Sequence, residues 1–77
     1  MSTNINVGQE WVYEIVPDVL ALHFFVVGVT NGVVVYKCAS VDRDMKPEQM
    51  KQAADNAPTE FKPLVEFAEM TGQMRLL

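Results

Sequence analysis

Apolar residues dominate the stretch from Val19 to Val41, and Asn31-Gly32 interrupts it near the middle. A two-residue type I′ turn needs positive φ at both central positions, which Asn and Gly adopt at little cost. The pattern therefore predicts a β-hairpin of two long strands. In a regular hairpin, residues equally distant from the turn oppose each other. The predicted pairs are Thr30 and Val33, Val29 and Val34, Val27 and Tyr36, Phe25 and Cys38, and His23 and Ser40.

Both faces of the predicted hairpin are mostly apolar. One face carries His23, Phe25, Val27, Val29, Val34, Tyr36, Cys38 and Ser40, and the other carries Leu22, Phe24, Val26, Gly28, Val33, Val35, Lys37, Ala39 and Val41. A sheet with one face in water needs only one apolar face, so this hairpin needs cover on both. Either the chain's own helices cover the second face, or part of it stays exposed as a contact surface.

Period-two alternation of aromatic and branched residues predicts a first strand from about Gln9 to Val16, ended by Pro17-Asp18. Pro47 suits the first turn of a helix, and apolar residues at helical spacing extend this helix over 47–56. A second helix is predicted over 59–71, with Thr59 as its N-cap and Gly72 as its stop. Residues 1–6 and 73–77 are predicted to be flexible or docking tails.

The sequence thus predicts one α+β domain over residues 1–77. Its sheet, within residues 7–41, is a three-stranded antiparallel meander, and two C-terminal helices pack on one face of it. The predicted order is β-β-β-α-α.

Ten acidic and six basic side chains give the chain a net charge of −4. Nucleic-acid binding draws much of its affinity from clustered Lys and Arg, and here these residues are scattered. Direct nucleic-acid binding, with Trp11, Tyr13 and Tyr36 as stacking groups, is therefore disfavoured. The acidic balance suits solubility or a basic protein partner.

The sequence carries no Cys-x-x-Cys, paired His, glycine-rich phosphate loop or nucleophile elbow. Cys38 is the only cysteine, so no disulfide forms within the chain; it reads either as a small buried hydrophobe or as a reactive thiol. His23 and Ser40 are a candidate spatial pair if the regular register holds, but no third catalytic group is evident. We expect a protein without catalysis, cofactor or metal.

No basic segment followed by an apolar run and a cleavage site opens the sequence, and the longest apolar run is too short to span a bilayer as a helix. The expectation is a cytoplasmic protein without a membrane partner.

Acidic residues in the predicted second helix and in the loop after the hairpin are candidates for partner contact. These are Glu60, Glu66, Glu69, Asp42 and Asp44. They form either a solvated surface or an acidic contact stripe. Trp11 is either a core anchor or part of a binding patch, and Tyr36 joins it as a candidate aromatic contact.

The segment Val7-Gly8-Gln9-Glu10-Trp11, an apolar strand, and the run Val29 to Tyr36 together resemble the opening of small Src-homology-3-like barrels of bacteriophage and bacterial proteins. The resemblance covers about Val7 to Ser40. It implies a partial barrel and a recognition module rather than an enzyme.

The sequence as a whole favours a small acidic protein-binding module, such as a phage-encoded inhibitor that occludes a host protein in the host cytoplasm. The alternative is a self-associating subunit that forms a homodimer through the apolar sheet face or the edge of the first strand.

Overall fold

The computed structural model describes residues 4–77, and within them the chain forms one antiparallel sheet of five strands in the order β4-β3-β2-β1-β5. The strands are β1 Glu10–Val16, β2 Leu20–Thr30, β3 Val33–Asp42, β4 Thr59–Pro63 and β5 Arg75–Leu76, and the helices are α1 Pro47–Asn56 and α2 Leu64–Thr71. The observed order is β-β-β-α-β-α-β, so the predicted three-stranded meander followed by two helices is wrong. In this part of the chain β4 and β5 lie at opposite ends of the strand order, so the sheet is open.

The hairpin turn forms at Asn31-Gly32, where φ is 50° and 74°. Next to the turn the register is the regular one, with Thr30 opposite Val33. Between Val26 and Gly28 the register then shifts, because Val27 is an extra residue in a β-bulge.

A shift of one residue exchanges the faces of every side chain beyond it. Phe24 therefore opposes Cys38, where the regular register predicted Phe25. The predicted pairing of His23 with Ser40 is wrong for the same reason, since His23 opposes Ala39. We call the side of the sheet that carries Phe24 the core face and the side that carries His23 the outer face.

A cluster of aromatic rings packs on the core face. Phe67 of α2 is fully buried, and its ring centroid lies 5.3 Å from that of Tyr36 and 6.4 Å from that of Phe24. Trp11 and Val34 belong to the same buried cluster. The side chain of Phe67 is therefore the most deeply buried contact between α2 and the sheet, and Leu64 and Met70 pack against the same cluster.

The predicted second helix begins too early. Thr59–Pro63 is a strand that pairs with β3 from Lys37 to Val33, and the helix begins only at Leu64. Two physical reasons account for the difference: the backbone groups of β3 that point away from β2 need partners, and Lys62 precedes a proline, which disfavours helical φ and ψ.

The first helix occupies Pro47–Asn56, the span predicted for it. It contributes no residue to the core cluster. Its end lies near the outer face, where Lys37 Nζ donates to the Asp55 carbonyl at 3.3 Å. The expectation that both helices pack on one face of the sheet is therefore wrong.

Both predicted tails contain ordered contacts in the described part of the chain. Ile5 is buried in the core cluster, while residues 1–3 lie outside the described residues. Gln9 holds this segment: its Oε1 accepts from Asn6 N–H at 2.9 Å, and its Nε2 donates to the Asn4 carbonyl at 3.1 Å. At the other end, Arg75–Leu76 forms β5 beside β1.

We expect Ile5→Ala to lower the free energy of unfolding by about 2 kcal/mol, the lower end of the range for buried branched residues, because the site lies near a chain end. Urea unfolding followed by Trp11 fluorescence measures it. Val7→Ala is the matched control, since Val7 is 63% exposed, and it should change stability by less than about 0.5 kcal/mol. Equal effects of the two substitutions would contradict the docking of this segment.

Candidate functional site

An apolar cleft opens where α2 stops short of covering the core face. The helix has only eight residues and ends at Thr71. Beyond Phe24 the core face continues with the opposed pair of Tyr13 and Leu22, and Tyr13 is 38% exposed. The resulting cleft has a volume of about 250 Å³. It is lined by Tyr13, Leu22, Phe24, Met70, Gln73 and Met74, and we call it the α2 cleft.

Two acidic side chains stand on the exposed side of α2, the helix whose end borders this cleft. Glu66 and Glu69 are exposed. Glu66 precedes Met70 by one helical turn, so the two side chains are neighbours on the helix surface. Val65, which precedes Glu66 and lies one turn before Glu69, is 70% exposed, and α2 contains no basic residue. The helix thus presents negative charge next to an apolar opening.

The remaining acidic candidates belong to other elements. Glu60 lies in β4 opposite Tyr36, while Asp42 ends β3 and Asp44 follows it in the loop. The Asp44 N–H donates to Asp42 Oδ1 at 2.9 Å, and Arg43 Nε lies 3.8 Å from Asp44 Oδ1. These contacts tie the two aspartates to their own loop.

Both aromatic candidates lie in the core. Trp11 is 7% exposed and Tyr36 is 4% exposed, so neither offers a ring to a partner. The structure instead exposes Tyr13, two residues after Trp11, at the rim of the α2 cleft. Alternation along β1 places Trp11 and Tyr13 on one face, but the sequence did not show where α2 would end.

Tyr36 and Cys38 lie on the core face near Glu60. Burial raises the pKa of the Cys38 thiol, and the Glu60 carboxylate raises it further. Burial likewise raises the pKa of the Tyr36 hydroxyl, with smaller contributions from Glu60 and Cys38. A raised pKa keeps Cys38 in the thiol form, which is the poorly nucleophilic form.

His23 has a carboxylate partner that the sequence did not reveal. Its Nδ1 lies 2.5 Å from Glu10 Oε2, and the imidazole stacks on Phe25 with ring centroids 6.3 Å apart. Glu10 and His23 belong to adjacent strands on the outer face, whereas Ser40 and Cys38 are on the core face. The sheet therefore separates the histidine from both candidate nucleophiles.

A second apolar concavity of about 290 Å³ lies at the β1–β2 turn, lined by Glu14, Val16, Asp18, Val19, Leu20, Ala21, Val41 and Arg43. The residues that line it include both acidic and basic side chains.

Among residues 4–77 no group of three His, Cys, Asp or Glu side chains is placed to hold a metal ion. In the same residues no helix is long and apolar enough to cross a membrane.

No known protein family matches the chain, and neither a curated protein nor a solved structure shows significant similarity to it.

The raised pKa values predict a loss of stability at alkaline pH. The folded state keeps protons on Cys38 and Tyr36 that the unfolded chain releases, so their contribution is complete below the unfolded-state pKa values, about 8.5 and 10, and is lost as the pH rises beyond them. Glu60→Gln removes one cause of both raised pKa values and should therefore reduce the loss of stability at alkaline pH.

Urea unfolding at a series of pH values between about 7 and 11 measures the effect. Glu48→Gln, at an exposed position on α1, is the matched control and should retain the wild-type profile. An alkaline loss that is the same in both variants would contradict the role of Glu60.

Proposed function

We propose that this chain is a small acidic, non-catalytic protein-binding module whose contact surface is the α2 cleft with Glu66 and Glu69 beside it. The partner is a protein segment that carries basic residues around one apolar side chain. The observation that supports this most is the open apolar cleft on the core face, bordered by the end of α2, the helix that carries the exposed Glu66 and Glu69.

The size of the cleft favours a protein side chain as its occupant. Pockets for small molecules and cofactors usually measure about 300–1,000 Å³. The α2 cleft, at about 250 Å³, lies below that range. One large apolar side chain, presented by a partner, fits such a volume and would be the anchor of the interface.

The lining of the cleft suits a binding surface that adapts to its partner. Met70 and Met74 supply flexible, polarisable side chains that repack at little cost. Tyr13 supplies a ring with an apolar body and a polar tip at the rim, the combination enriched at protein interfaces. Partner binding would bury this tyrosine more deeply.

Charge supports the choice of a basic partner. The net charge is −4, and α2 contributes two exposed carboxylates without a basic side chain to neutralise them. Such a surface steers a basic partner towards the cleft and repels acidic proteins. The association rate should therefore fall as salt is raised.

The double substitution Glu66→Lys with Glu69→Lys should weaken partner binding by on the order of tenfold, because two attractive contacts become repulsive. Stability should change by at most about 1 kcal/mol, since both side chains are exposed and Glu66 stands in the favourable first turn of α2. Capture from a bacterial lysate, followed by calorimetric titration of the captured protein, measures the effect.

The matched control is Glu48→Lys with Asp55→Lys on α1. It makes the same change in net charge, and Glu48 also stands in the first turn of its helix. This control should bind like the wild type. Equal weakening by both pairs would show that only total charge matters, and unchanged binding in both would contradict the acidic contact.

The methionines report the location of the contact. With ¹³C-methyl-labelled methionine, partner addition should shift the NMR signals of Met70 and Met74, which line the cleft. Met45 and Met50 belong to the loop before α1 and to α1 itself, and their signals should stay in place. Shifts confined to Met45 and Met50 would place the partner elsewhere.

A further inference from the structure

The outer edge of β4 is a free strand edge in the described part of the chain. β4 stands at one end of the strand order and, among residues 4–77, pairs only with β3. Thr59, Glu60, Phe61 and Pro63 are exposed, and Lys62 is half-buried. By contrast β1, whose edge the sequence suggested for self-association, has β2 on one side and β5 beside Trp11 and Val12 on the other.

The direction of the free backbone groups follows from the pairing with β3. Leu64 N–H donates to the Gly32 carbonyl at 2.7 Å, so at residue 64 the backbone points toward the hairpin. Backbone groups of successive strand residues point alternately to the two sides, so those of Glu60 and Lys62 face β3. Those of Thr59, Phe61 and Pro63 point outward, away from the sheet.

An exposed aromatic residue marks the middle of this edge. Phe61 is 75% exposed and lies opposite Val35, on the outer face of the sheet. Natural proteins usually protect a free strand edge with charge, proline or a bulge. Here the prolines stand at positions 58 and 63, at the two ends of β4, and the two charged residues beside Phe61, Glu60 and Lys62, have opposite signs.

We propose that two copies of this chain pair through β4, antiparallel and centred on Phe61, so that their sheets join into one. In this register each Phe61 N–H donates to the carbonyl of the other copy's Phe61. Each Thr59 N–H donates to the carbonyl of the other copy's Pro63. Because proline has no N–H, the reciprocal hydrogen bond from Pro63 to the Thr59 carbonyl does not form. The two Phe61 rings become neighbours on the outer face.

The charges of Glu60 and Lys62 favour this register over the two registers centred on an adjacent residue. Centring on Phe61 places Glu60 of each copy opposite Lys62 of the other, on the same face of the joined sheet. Centring on Glu60 would place two glutamates opposite each other, and centring on Lys62 would place two lysines opposite each other. Opposite charges across a strand pair stabilise it and like charges destabilise it. Glu60 and Lys62 make the β4 edge complementary to itself.

The proposed dimer does not rest on the proposed function. Its interface is the edge of β4, whereas the partner surface is the α2 cleft, lined by β1, β2 and the end of α2. Either proposal can fail while the other stands.

Charge reversal tests the pairing. Sedimentation velocity across a dilution series should give a dimer for the wild type, and Glu60→Lys or Lys62→Glu alone should raise its dissociation constant at least about fivefold. The double variant should restore the wild-type constant. An equimolar mixture of the two single variants should also dimerise, because each then meets its complement. A monomeric wild type at every concentration, or single variants that dimerise as well as the wild type, would overturn the proposal.

Amide hydrogen exchange locates the interface. In the dimer the outward N–H groups of Thr59 and Phe61 should exchange more slowly as protein concentration rises. The inward N–H groups of Glu60 and Lys62 bond to β3 in either state, so their exchange should depend little on concentration. A dimer in which Phe61 exchanges equally fast at all concentrations would contradict pairing through β4.

Discussion

The bulge at Val27 decides which side chains meet in the core. Without this extra residue Phe25 would oppose Cys38, and the rings of Phe24 and Tyr36 would lie on opposite faces of the sheet. With it, Phe24 and Tyr36 share a face, with ring centroids 5.8 Å apart, and Phe67 packs against both. The same shift sends His23 to the outer face, where Glu10 binds it. One backbone irregularity therefore separates the hydrophobic core from the ionisable pair.

The position of α2 follows from that core, and the α2 cleft follows from the position of α2. β4 supplies partners for the outward backbone groups of β3, and Pro63 then leads directly into the helix. Phe67 fixes the helix over the aromatic cluster, and the chain leaves it after Thr71 to form β5. The helix is too short to cover Tyr13 and Leu22, which leaves the α2 cleft. Within residues 4–77 no strand pairs with the outer side of β4, which leaves this edge free.

Local signals in the sequence were sufficient where structure depends on neighbours along the chain. Asn31-Gly32 predicted the turn, Pro47 predicted the start of α1, and helical spacing placed Glu66 and Glu69 in solvent. They were insufficient where the local structure is determined by a segment that is distant in sequence. The local sequence predicts the start of a helix at Thr59, but Thr59–Pro63 becomes a strand because β3 needs a partner. Ile5 stands among polar residues and is buried because Gln9 holds its segment, and the α2 cleft depends on where a helix ends above a distant strand.

Nuclear Overhauser contacts between Hα protons across β2 and β3 test the register most directly. Facing residues that do not exchange backbone hydrogen bonds bring their Cα atoms to about 4.5 Å, close enough for a strong Hα–Hα contact. The bulged register predicts such contacts between Phe24 and Cys38 and between Leu22 and Ser40. Contacts between Phe25 and Cys38 and between His23 and Ser40 would show a regular hairpin, and would contradict the core and the α2 cleft derived from it.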